Sequence, residues 1–123
     1  MEQLTRLHAN LLFTILLVFI ALALWGLIGY LSRAPISHYV GALLIIGELL
    51  IASTFVIGMI LWSGNMRPSR PEPHLMYAVV AILSPLVMLA DLRSNSGRAA
   101  QLRLLIGAVF VCAIVLRALV TGR

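Results

Sequence analysis

The chain has 123 residues, 62% of them hydrophobic and only 11% charged, with a net charge of +5. A soluble domain sits nearer half apolar and a quarter charged, so lipid rather than water is the medium that fits most of this surface. All nine cations are arginines scattered singly between apolar runs. No basic stripe follows a phosphate backbone, which argues against nucleic acid as a partner.

The first apolar run covers residues 11–31, "LLFTILLVFIALALWGLIGYL". Crossing the hydrocarbon takes about 20 residues. The run exceeds the roughly 7–15 residues of a signal-peptide core and no small-x-small cleavage site follows it, so it reads as a retained span. His8 stands just before it, and Asn10 and Thr14 lie one turn apart at its start. Trp25 and Tyr30 near its end, with Tyr39 after the joint "SRAPIS", form one interfacial aromatic belt.

The second run covers residues 39–62 and holds one carboxylate, Glu48, near its middle. A charge there costs about 2.5–3.5 kcal/mol on insertion scales, so Glu48 is expected to face the bundle interior, a companion chain or a wet cavity. Thr14, Ser84 and the Tyr77 hydroxyl are its candidate internal partners. Gly47, Thr54 and Gly58 make a small-residue stripe about 100° away on the same helix, the pattern of a close helix–helix contact.

The joint at residues 63–73 contains three prolines and is not helical throughout. The third run, residues 75–92, follows directly on His74 and carries Ser84-Pro85, a bend that membrane helices tolerate when a neighbour supplies the lost hydrogen bond. Asp91 near its end suits an interfacial ion pair or a cap. After the polar turn "RSNSGR" comes the fourth run, residues 104–120, with Cys112 and Arg117 inside it. A lone cysteine permits no internal disulfide and reads as a small hydrophobe.

In lipid each run must satisfy its own backbone hydrogen bonds, so each is expected to be a helix. The fold predicted is an all-α integral membrane bundle with four transmembrane helices, up-down-up-down, both termini on one side. No internal repeat or low-complexity segment is visible. The arginines divide almost evenly between the two ends, so the positive-inside bias leans only slightly toward cytoplasmic termini in a bacterial inner membrane.

His8 and His74 fall on the same side of this topology, and two histidines on facing helices clamp the iron of a b-type haem. Their position at the ends of the apolar runs speaks against deep burial. His38 lies on the opposite side and completes no second pair. No nucleophile–base set, metal-ligand cluster or phosphate-binding glycine loop appears, so no enzyme activity is expected.

Four spans around one embedded Glu resemble the small multidrug resistance transporters in architecture. The first span here lacks the carboxylate which that family carries there, so the resemblance transfers no function. In size the chain is similar to small accessory subunits of respiratory and photosynthetic complexes. Three expectations follow. The first is an accessory subunit of a quinol-oxidising electron-transport complex, held among lipids and other membrane subunits, with Glu48 against a quinone or lipid. The second is a b-type cytochrome with His8 and His74 as haem ligands. The third is a homodimeric proton-coupled transporter that uses Glu48.

Overall fold

The computed structural model describes residues 2–33, 38–64, 71–94 and 98–121. They form four helices: α1 (Glu2–Ser32), α2 (His38–Ser63), α3 (Pro71–Ser94) and α4 (Arg98–Thr121). All four are long and apolar enough to cross a membrane. Pro35, Arg67, Arg70 and Arg123 lie outside the described residues.

Three helices begin well before their apolar runs. α1 starts nine residues ahead of Leu11 because "EQLTRLHAN" is polar yet contains good helix formers. α3 starts at Pro71, with Pro73 in its first turn. Prolines cost little there, since first-turn amides have no helical acceptor. Hydroxyls are absorbed locally. Thr14 donates to the Asn10 carbonyl, Ser53 to Leu49, Thr54 to Leu50 and Ser84 to Val80. Each bond returns a polar side chain to its own helix and spares lipid from meeting it. α2 stops where the Gly64 amide donates to Ile60 and Leu61 carbonyls, and α1 stops at Arg33, whose φ of 57° is left-handed.

The helices close a ring in which α1 and α3 each touch both α2 and α4. His8 near the start of α1 meets Thr54 near the end of α2. Asp91 near the end of α3 meets Arg103 near the start of α4, and Tyr30 near the end of α1 meets Arg98 at the start of α4. Each of these pairs is therefore antiparallel.

The buried residues follow a strict seam. α1 contributes Leu12, Ile15, Phe19 and Leu22, and α2 contributes Val40, Leu44, Gly47, Ile51 and Thr54. α3 contributes Ala81, Pro85 and Met88, and α4 Leu104, Ala108, Val111, Val115 and Ala118. Steps of three and four alternate throughout, which is the 3.5-residue period of coiled-coil packing. Large apolar side chains also cover the outside, Leu17 and Val87 at 68% exposure each. Lipid is as apolar as leucine, so close fit rather than hydrophobicity selects the seam. Phe19 shows this fit. It is fully buried, and a Cβ on Gly47 would come within 2.8 Å of its ring. The small-residue stripe of α2 thus receives α1.

The seams of the two hairpins are in register. Adding 66 to Leu12, Ile15, Phe19 and Leu22 gives Ala78, Ala81, Pro85 and Met88. Adding 64 to Val40, Leu44, Gly47, Ile51 and Thr54 gives Leu104, Ala108, Val111, Val115 and Ala118. The pairs α1–α2 and α3–α4 thus repeat one packing device with almost no shared residue identity.

Candidate functional site

His8 and His74 occupy equivalent seam positions, one step before Leu12 and Ala78. The bundle brings their rings together, with centres 6.4 Å apart and planes inclined at 55°. His8 lies six residues beyond the first residue of α1, about 9 Å at the helical rise. His74 lies three beyond the start of α3. Both are half-buried. His8 therefore lies more than a turn inside α1, whereas His74 is in the first turn of α3, so the pair sits at one end of the bundle.

Each ring is fixed by the partner helix of its own hairpin. His8 Nδ1 donates to the Thr54 carbonyl oxygen at 3.1 Å, and His74 Nδ1 donates to the Ala118 carbonyl oxygen at 2.9 Å. A carbonyl only accepts, so Nδ1 carries the proton, and Nε2 bears the lone pair in each neutral ring. Metal-binding histidines are oriented in this way, with the distal N–H on a backbone carbonyl.

Both histidines line a partly open cavity of about 330 Å³ to which all four helices contribute residues. Its walls are mostly apolar, with Leu12, Ile51, Phe55, Trp62 and Ala81 among them. This size falls at the lower end of ligand pockets, about 300–1,000 Å³. The two histidines are the titratable groups on its lining.

The donor count restricts the ligand. A structural zinc ion takes four protein ligands and a catalytic one takes three. Among the described residues no group of three His, Cys, Asp or Glu side chains is placed to hold a metal. A haem brings four nitrogens of its own and asks the protein for two. A metal–imidazole bond of about 2 Å, plus about 1.2 Å from nitrogen to ring centre, sets two rings facing across one ion about 6.4 Å apart. The observed separation matches that sum.

Glu48 stands apart from this cavity. It is half-buried on α2, one position off the seam, and its Oε2 is buried with no hydrogen-bond partner among the described residues. Two of its expected partners are engaged elsewhere, Thr14 with Asn10 and Ser84 with Val80. An unsatisfied buried polar atom costs about 1–3 kcal/mol. Glu48→Leu is therefore expected to stabilise the isolated bundle by about 1 kcal/mol. Thermal unfolding in detergent checks this, and a lower midpoint would contradict it.

The remaining polar groups brace the opposite end. Asp91 accepts from Arg103 Nε through both carboxylate oxygens, at 3.1 and 3.0 Å. Arg98 donates to the Tyr30 carbonyl at 2.9 Å while its guanidinium lies 4.2 Å from that ring's centre. His38 is exposed and stacks on Tyr39, so it joins neither the cavity nor the histidine pair.

Sequence reasoning brought His8 and His74 to one side but missed the carbonyls of Thr54 and Ala118. Backbone acceptors leave no mark in side-chain identity. The small residue four positions after Thr54 is the signal that was available. No protein-family model matches the chain, and neither a curated protein nor a solved structure is found to match it.

Proposed function

We propose that this chain is a membrane-embedded b-type haem protein, with His8 and His74 as the two axial ligands, that carries single electrons within a larger electron-transport assembly. The observation that carries the reading is the histidine pair: two rings at iron-bridging separation, each with Nδ1 committed to a carbonyl, on the wall of an apolar cavity. Two histidines offered to one haem, with no third donor placed beside them among the described residues, would suit electron transfer rather than oxygen chemistry. His8 and His74 would hold the haem, and the bound group would supply one-electron chemistry for exchange with a quinol or a neighbouring redox centre. The exposed apolar flanks, with Glu48 beside them, suit contact with lipid and companion subunits.

Haem content tests the proposal. The chain is produced in cells with ample haem supply and purified in mild detergent. Its pyridine haemochrome is expected to report one b-type haem per chain. Protein that carries a quinone but no haem, or no chromophore at all, contradicts the reading.

A further inference from the structure

We infer that Gly58 is a positioning residue for the His8 ring: the absence of a side chain there is what lets the imidazole reach the Thr54 carbonyl and present Nε2 to an axial ligand position. The inference rests on the haem reading above. In an α-helix the carbonyl of residue 54 accepts from the amide of residue 58. A side chain arriving from another helix must therefore approach that oxygen over residue 58. The distances follow this logic. A Cβ on Gly58 would lie 3.1 Å from His8 Cε1, 3.7 Å from Nδ1 and 3.9 Å from Nε2. The ring edge bearing both nitrogens rests against the glycine, while Nδ1 is 3.1 Å from the Thr54 oxygen. A Cβ at 3.1 Å is tighter than ordinary contact, so even alanine obliges the ring to give way by a few tenths of an ångström. That displacement lengthens or bends the hydrogen bond to the Thr54 carbonyl that orients the ring. The same spacing occurs in the second hairpin, where Gly122 follows Ala118 by four residues; Gly122 lies outside the described residues, and the inference concerns Gly58 alone.

The contrast with Gly41 makes the test specific. Gly41 is on the same helix, and a Cβ there would meet nothing within 4 Å. Gly58→Ala and Gly41→Ala therefore add the same atom to α2 with the same gain in helix propensity. Loss of an outer partner of a metal ligand costs about 10–100-fold in affinity. Gly58→Ala is expected to bind haem about tenfold more weakly, with a changed low-spin resonance of the oxidised iron and a shifted reduction potential. Gly41→Ala is expected to match the parent in all three. Gly58→Leu, which fills the ring's seat, is expected to lose haem while keeping its helical circular dichroism. If Gly58→Ala binds haem with the parent's affinity, resonance and potential, the inference fails although the haem reading stands. If the parent chain itself takes up no haem, the haem reading fails and takes this inference with it. Should Gly58→Leu not fold, the alanine pair still decides the question.

Discussion

His8→Ala and His74→Ala are each expected to abolish the haem binding proposed here, while both variants should keep the helical content of the parent chain and its thermal stability within about 1 kcal/mol. Each substitution removes one of the two protein donors that a six-coordinate haem needs. The loss should exceed the roughly 10–100-fold that outer partners of a ligand cost. Folding should survive, because both rings are half-buried at one end of the bundle rather than in its centre. The helices are held by the seam from Leu12 to Leu22 and its counterparts. A more discriminating variant is His74→Met. Methionine is an axial ligand too, and a His/Met pair raises the potential relative to two imidazoles. His74→Met is therefore expected to retain a low-spin haem at higher potential. Optical titration with haem and potentiometry measure both effects. If either alanine variant binds haem as tightly as the parent, the iron is not held by this pair.

Gly26→Leu is expected to disrupt the α1–α4 contact and to lower stability by more than any surface change in the chain. A Cβ at Gly26 would lie 3.0 Å from the Leu105 amide nitrogen and 3.1 Å from the Gln101 carbonyl oxygen. Both are backbone atoms, so no rotamer change relieves the clash and α4 itself must move. Overpacking of this kind costs about 1–3 kcal/mol, and the rest of the leucine side chain has no room in that seam. One turn on, a Cβ at Gly29 would overlap the side-chain amide of Gln101, which is 1% exposed. The two glycines therefore let α4 lie close against α1, and small residues play this part where lipid offers no hydrophobic drive. Gly41→Leu is the control, in open space on α2. Thermal unfolding in detergent should separate the two, with Gly26→Leu well below the parent and Gly41→Leu near it. Equal midpoints would show that the α1–α4 contact is not tight.

The crossings were legible in the sequence because hydropathy alone marks them: four runs of membrane length with breakers between. Helix ends were less legible, since "EQLTRLHAN" is polar and still helical, and hydropathy cannot see that. The seam was invisible for a physical reason. With leucines and isoleucines on every face, nothing in polarity distinguishes Leu12 in the interior from Leu17 on the surface. Only the alternating steps of three and four do so, along with the glycines that admit a neighbour. The register shared by the two hairpins was hidden likewise, because Phe19 answers to Pro85 and Gly47 to Val111. Of the site, topology predicted that His8 and His74 share an end. Their separation, the Thr54 and Ala118 acceptors and the seat at Gly58 depend on packing. Glu48 was conspicuous by polarity, yet it lies outside the cavity lining.

The most direct measurement is electron paramagnetic resonance of the oxidised, detergent-purified chain. Two neutral imidazoles on one ferric haem should give a low-spin signal accounting for one iron per chain, absent in His8→Ala and His74→Ala. A silent sample, a high-spin haem, or a low-spin signal that persists in both alanine variants would contradict the assignment of this histidine pair to iron.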